Sequence, residues 1–160
     1  MKKPASLRAA LVAALPALAT DPDKLLVFID QGSIESSFVP GGSFEYAYVL
    51  NVILTDYAGD PDLVMVPLLM WVRVNQSDLM DNPDRRKDGI TFEADILDNA
   101  KVDLSLKLRL TERVVVTPIG DGQLDITHPD EPLPDAQLEA QHWQLYIRDD
   151  LVAEWDVPAV

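Results

Sequence analysis

The first candidates for acid–base chemistry or metal binding in this 160-residue sequence are clustered carboxylates and two histidines. Asp56, Asp60 and Asp62 stand close together after an apolar segment, and a pair of such carboxylates could serve a glycoside hydrolase. Structural roles explain them better, because Asp60 precedes Pro61 in the order of a helix N-cap and a first helical residue. Asp56 in turn suits a turn position. We therefore predict that these carboxylates are not catalytic.

The remaining candidates lack the spacing that a metal or nucleophile site requires. His128 and His142 do not form a locally spaced pair, so we interpret both as surface or structural residues. The acidic segment Asp81–Asp88 does not match a calcium loop, because the basic residues Arg85–Lys87 would repel a cation. No phosphate-binding glycine loop or nucleophile elbow is present. We predict a protein that is not an enzyme, with no catalytic, cofactor-binding or metal-binding residues.

Composition excludes further classes of function. The chain has no cysteine, which rules out disulfides, thiol catalysis and cysteine-ligated metals. With 27 acidic and 13 basic residues its formal net charge is −14, so it is poorly suited to bind a nucleic-acid backbone. The charge either keeps the protein soluble or lets nucleic acid pass without binding.

The N-terminal segment allows two interpretations. Lys2 and Lys3 followed by the apolar run Ala9–Ala19 resemble a signal peptide. An amphipathic helix is favoured, however, because leucines recur along one helical face at positions 7, 11, 15 and 18. We predict a helix over Ala5–Leu18 and keep a secreted soluble binding module as an alternative. No segment is long and apolar enough to cross a membrane.

The elements that follow alternate between strand and helix patterns. Apolar residues recur with period two over Phe44–Thr55 and over Val102–Thr111, so each predicts a strand with a buried face. The nearly continuous apolar run Lys24–Ile29 predicts a central strand covered on both faces. Glu112 breaks the alternation and suggests a β-bulge. Shorter strands are predicted over residues 90–96 and 124–127, and a helix kinked by Pro67 over residues 61–75.

The C-terminal part has a different character. Pro132 and Pro134 lie among acidic residues, which is typical of an extended linker, and Trp143–Trp155 reads as a hairpin. We predict a domain over residues 1–131 and a linker with a hairpin arm over 132–160. The fold class is α+β, with one mixed, largely antiparallel sheet packed against two helices. The hairpin is either an edge of this sheet or an arm that adds a strand to a neighbouring subunit.

Several blocks of the chain together resemble one known family. In order, they are KPASLRAAL, PDKLLVFIDQGSI, SFEYAYVLNVILTDYAGD, VMVPLLMWVRVNQ, ITFEADIL and VDLSLKLRLTERVVV. This succession is similar to the tail completion protein R family of P2-like contractile-tailed phages. The resemblance covers most of residues 3–131 and rests on the order of the blocks, since no short motif is diagnostic.

The resemblance implies a structural virion protein, encoded by a phage, a prophage or a phage-derived tail particle. By analogy with tail terminators, it implies a hexameric ring at the head-proximal end of the tail, assembled in the host cytoplasm. Its expected partners are tail tube and sheath proteins and a neck or head completion protein, with DNA passing through the lumen unbound. A head–tail connector of the neck is the alternative within this role.

Overall fold

The computed structural model describes residues 1–36, 41–97, 101–132, 141–147 and 149–157. The helices are α1 (Lys3–Ala14), α2 (Pro16–Thr20), α3 (Asp62–Asn75), α4 (Asp78–Asp81) and α5 (Pro83–Arg86). The strands are β1 (Leu25–Glu35), β2 (Phe44–Tyr57), β3 (Ile90–Ile96), β4 (Val102–Gly120), β5 (Gln123–Thr127), β6 (Gln141–Ile147) and β7 (Asp150–Val157). The predicted turn residues 98–99 lie outside the described part of the chain.

The main sheet has the order β1-β2-β4-β3, with β5 paired to the far end of β4. Every strand pair in the described residues is antiparallel, and α1 and α3 pack against each other over one face. The α+β prediction is therefore confirmed. Between sheet and helices lies a core dominated by leucine: Leu7, Leu11, Leu18, Leu25, Leu50, Leu54, Leu68, Leu104, Leu106, Leu108 and Leu110.

The N-terminal helix forms, but as two pieces. Leu15 has extended backbone angles, φ −120° and ψ 92°, and α2 begins at Pro16. The break follows from Pro16, because the proline ring disfavours helical angles at the residue before it. The leucines at 7, 11, 15 and 18 are nonetheless all buried, as the amphipathic pattern predicts.

Two predictions about the strands are wrong. The strand that includes Leu26 and Phe28 is an edge strand, and these two side chains are 47% and 39% exposed, so it is not covered on both faces. No bulge occurs at Glu112, since β2 and β4 stay in register from Leu54 to Phe44. The irregularities of the main sheet lie elsewhere, at Ile29/Gln31 in β1, at Leu54/Tyr57 in β2 and at Pro118/Gly120 in β4.

Helix α3 begins at Asp62, one residue later than predicted, and Pro67 is buried within it. The polar segment that follows, residues 76–89, contains two one-turn helices, and Leu79 is buried in the core. No helix of the described residues is long and apolar enough to span a membrane.

The C-terminal hairpin also forms. β6 and β7 pair only with each other in the described residues, so they make a second, two-stranded sheet instead of an edge of the main one. β7 packs against α1, and Ala153 is buried there. The hairpin is therefore docked on the helical layer.

Candidate assembly surfaces

The main sheet ends on both sides in a strand with one partner. In the described residues β1 pairs only with β2, and β3 pairs only with β4. The outward backbone N–H and C=O groups of such strands can pair with another chain. β1 has 11 residues and β3 has seven, so both edges are long enough to carry a specific contact.

An apolar surface lies at the β3 edge, and we call it the edge patch: Phe92, Ile96 and Leu97. These side chains are 63%, 83% and 52% exposed. Phe92 pairs with Leu106 and Ile96 with Val102, so both point to the face that carries the core. The helical layer does not extend over them. The edge patch is thus an uncovered continuation of the hydrophobic core, which marks an interaction surface.

A second apolar surface lies where β4 runs beyond the sheet and turns into β5. We call it the tip patch: Ile119, Leu124 and Ile126, which are 60–62% exposed. Leu124 and Ile126 share one face of the β4–β5 ribbon, because they oppose Pro118 and Val116. Asp121 at the turn of the ribbon has a positive φ of 49°. The glycines on both sides of it also have positive φ, which glycine adopts without steric cost. The ribbon thus presents an amphipathic finger at one end of the molecule.

The candidate acids make structural contacts, although the position of Asp56 differs from the prediction. The Asp60 carboxylate accepts a hydrogen bond from the Asp62 N–H at 3.0 Å, at the start of α3. Asp56 does not lie in the predicted turn, because it belongs to β2, at the irregularity between Leu54 and Tyr57 in the pairing with β4. It has a positive φ of 50°, and its carboxylate lies 3.5 Å from Lys101 Nζ. In the acidic segment, Asp84 and Asp88 are paired with Lys87 and Arg109. Among the described residues no cluster could hold a metal ion.

The two histidines both contact carboxylates but in different surroundings. His142 is half exposed, and its Nδ1 lies 2.7 Å from Asp156 Oδ1 across the C-terminal hairpin. That hydrogen bond, with smaller contributions from Glu154, raises the pKa of His142. His128 is mostly covered, and its Nδ1 lies 3.1 Å from Glu112 Oε1. The angle does not suit a hydrogen bond, so this nitrogen has no such partner in the described residues.

No sequence pattern predicted the buried polar cluster that lies beneath the N-terminus. We call it the N-terminal cluster: Lys3, Tyr48, Gln76, Glu112 and Glu131. The Lys3 ammonium donates to Gln76 Oε1 (2.7 Å), to the Thr111 carbonyl (2.7 Å) and to Glu131 Oε1 (2.6 Å). All three hydrogens of the ammonium are therefore used. The contact with Glu131 ties the segment after β5 to the first turn of α1.

Glu112 is the acceptor of the cluster and is only 4% exposed. Its carboxylate accepts from the N–H groups of Lys2 (2.5 Å) and Lys3 (3.3 Å) and from the Tyr48 hydroxyl (3.2 Å). Burial by itself raises the pKa of Glu112, but these hydrogen bonds outweigh it and hold the pKa below the ordinary 4.5. Burial and then the neighbouring carboxylate raise the pKa of Tyr48. Glu112 thus remains charged and caps the free N–H groups at the start of α1.

Comparison with known proteins decides the family. The family described as P2 phage tail completion protein R (GpR) matches residues 1–132. Tail completion protein R of Escherichia phage P2 is 46% identical over 156 residues, which cover 98% of this chain and 99% of that protein. The chain belongs to the P2 phage tail completion protein R family. No solved structure matches the chain.

Membership in this family gives the protein a structural role in phage tail completion, as part of virion assembly. It associates with the virion tail. The family match ends at residue 132, the last described residue before the linker, whereas the similarity to the phage P2 protein continues through most of the hairpin. The surfaces described above are therefore candidate contacts with other tail subunits.

Proposed function

We propose that the protein forms a ring of identical subunits, six in number, that closes the head-proximal end of the tail. The ring ends the growth of the tube and prepares the tail for joining to the head. Family membership carries this proposal. Closed rings use one surface of a subunit against a different surface of the next. The free edges of β1 and β3, at opposite sides of the sheet, supply two such surfaces.

The two apolar patches support a subunit that binds different partners at two places. The edge patch lies beside the first half of β4, and the tip patch lies at its far end. At the rise of an extended strand they are roughly 40 Å apart. We assign the tip patch to the tail tube or sheath, since a projecting finger can enter a neighbouring subunit. We assign the edge patch to contacts within the ring.

The acidic composition suits the same role. DNA must cross the ring to leave the head, and a lumen lined by carboxylates would repel phosphates. We propose that Asp and Glu outnumber Lys and Arg on the lumen surface. We also propose that no step of this role is catalytic, because the carboxylates considered above make a helix-cap contact and ion pairs. Assembly would take place in the bacterial cytoplasm.

The test is to locate a labelled copy on tail particles by electron microscopy and to measure tail length. We expect label at the head-proximal tip, and tubes of uncontrolled length without heads when the protein is absent. Label at the baseplate would refute the proposal. Label at the tip with normal tail length but no joined heads would indicate a neck connector instead.

A matched pair of variants tests the tip patch. Ile126→Glu places a charge on the apolar face of the β4–β5 ribbon, and Thr117→Glu places one on the opposite, exposed face. We expect Ile126→Glu to abolish incorporation into tails while the purified protein stays folded. Thr117→Glu should be incorporated normally, and equal incorporation of both would remove the tip patch from the interface.

A further inference from the structure

The groove between α1 and α3 is the seat of the C-terminal hairpin. Its floor consists of Ala10 and Ala13 on α1 and of Pro67, Met70 and Trp71 on α3. The alanines leave room for a strand to approach the helix closely. Trp155 of β7 closes one side of a cavity of about 340 Å³ in this groove. Further along, Val152 reaches the turn between α1 and α2 near Leu15 and Pro16.

The hairpin presents its apolar face to this seat. Trp143 pairs with Trp155 and Leu145 with Ala153, so these four side chains share one face of the ribbon. Ala153 on this face is 5% exposed. The other face of the hairpin carries the polar residues His142, Gln144 and Glu154. The ribbon is thus amphipathic, with its apolar side on the helices.

Among the described residues, the hairpin meets the helices through apolar packing alone. In the part of the chain that the structure describes, the polar contacts of its side chains stay within the ribbon: His142 with Asp156 and Glu154, and Gln144 with Glu154 and Tyr146. The seat is also incompletely filled. The indole N–H of Trp143, the residue that pairs with Trp155, is buried without a hydrogen-bond partner among the described residues. The groove therefore makes no polar contact with the hairpin that would require both to belong to the same chain.

Extending the proposed ring, we propose that the α1–α3 groove of each subunit receives the C-terminal hairpin of the neighbouring subunit once the tail is assembled. The proposed occupant is the hairpin of a second copy, because this hairpin already fits this groove within one chain. Pro132 is held at the N-terminal cluster through its neighbour Glu131. From Pro132 to Gln141 the chain can span at most about 30 Å, which reaches an adjacent subunit.

The exchange preserves every contact of the docked hairpin. In a free subunit the tether keeps the hairpin at millimolar effective concentration near its own groove, so the closed form prevails. In a ring the neighbour's groove lies within the same reach, and hairpins that pass from subunit to subunit bind the ring into one unit. The hairpin thereby acts as a clamp that engages only where subunits are already adjacent.

Cysteine cross-linking tests the exchange, since the natural chain has no cysteine. One copy carries Ala13→Cys in the groove, and a second copy carries Asp156→Cys at the exposed end of β7. The two are mixed, assembled into tails and treated with a short bismaleimide. We expect a two-chain product from purified tails and none from the dilute mixture. A copy with both changes should cross-link within one chain when dilute and into multimers in tails.

A control pair reports on the method. Thr117→Cys and Asp125→Cys oppose each other on β4 and β5, so a double variant should cross-link within one chain in both states. Mixed single variants of this pair should give no product.

The outcomes separate the exchange from the ring itself. Head-proximal copies that cross-link only within one chain would overturn the exchange and leave the ring intact. A product between Ala13→Cys and a different tail protein would likewise overturn it. A protein that stays monomeric in every tail fraction would overturn both.

Discussion

Both ends of the chain carry a network of polar side chains, but only the N-terminal network joins its end to the rest of the fold. At the N-terminus, Lys3 and Glu112 are 7% and 4% exposed, and their partners come from β2, β4, the α3–α4 junction and the segment after β5. In the C-terminal hairpin, His142 and its partners are exposed and belong to the same ribbon. The N-terminal network joins segments that are distant in the chain, whereas the network of the hairpin joins only its own two strands. We infer that the N-terminus is built into the fold and the hairpin is docked on it.

The largest effect should come from breaking the N-terminal cluster. Lys3→Met keeps the aliphatic stem but removes the ammonium that donates to Glu131, to Gln76 and to the Thr111 carbonyl. Removing one member of a buried ionic network costs about 3 kcal/mol. Urea denaturation should show this loss in the free energy of unfolding. Lys2→Met, at an exposed neighbouring position, is the control and should change it by less than about 0.5 kcal/mol. Equal losses in both variants would show that the cluster does not anchor the N-terminus.

The next effect depends on pH. The folded-state pKa of Glu112 lies below its ordinary 4.5, so its charge contributes stability above pH 4.5 that is lost as pH falls through the folded-state pKa. Glu112→Gln should cost about 2 kcal/mol at neutral pH, because hydrogen bonds to a charged acceptor are lost. Its free energy of unfolding should approach that of the natural protein at low pH, where both side chains are neutral. A difference that stays constant with pH would contradict this role.

The position of Glu112 shows what the sequence could and could not convey. The alternation of β4 predicted the buried leucines from 104 to 110 correctly, because a two-residue period needs no knowledge of the partner strand. At Glu112 the same period places a carboxylate on the buried face, and a bulge was the simpler interpretation. Its N–H donors lie on a helix more than 100 residues away along the chain. The burial of Glu112 follows from the continued pairing of β4 with β2, which the sequence pattern of β4 does not show.

The edge strand β1 illustrates the opposite failure. A continuous apolar run is typical of a strand covered on both faces, yet Leu26 and Phe28 remain exposed in the single chain. Sequence patterns report burial in the state in which a protein functions, which for an assembly protein includes its neighbours. The free edges and the two patches could therefore not be assigned from the sequence, although the helices and most strands could.

Removing the hairpin should have a smaller effect than breaking the cluster. A chain that ends at Pro132 keeps the core and the main sheet but exposes the α1–α3 groove. The lost burial corresponds to one or two apolar side chains, so we expect a loss of about 2 kcal/mol with cooperative unfolding retained. Thermal unfolding followed by circular dichroism would measure it. Loss of cooperative unfolding would show that residues 132–160 are part of the main domain rather than a separate arm.

The smallest effect concerns the exposed pair within the hairpin. The hydrogen bond to Asp156, together with Glu154, raises the pKa of His142 above its ordinary 6.5. The small stability that this pair contributes is complete below pH 6.5 and is lost as pH rises through the raised folded-state value. An NMR titration of the imidazole should show the raised pKa, and Asp156→Asn should lower it. Because both groups lie on the ribbon, the pKa should be the same whether the hairpin occupies its own groove or a neighbour's. A pKa that changed on tail assembly would place His142 in the subunit interface and show that the polar face of the hairpin, as well as its apolar face, is covered there.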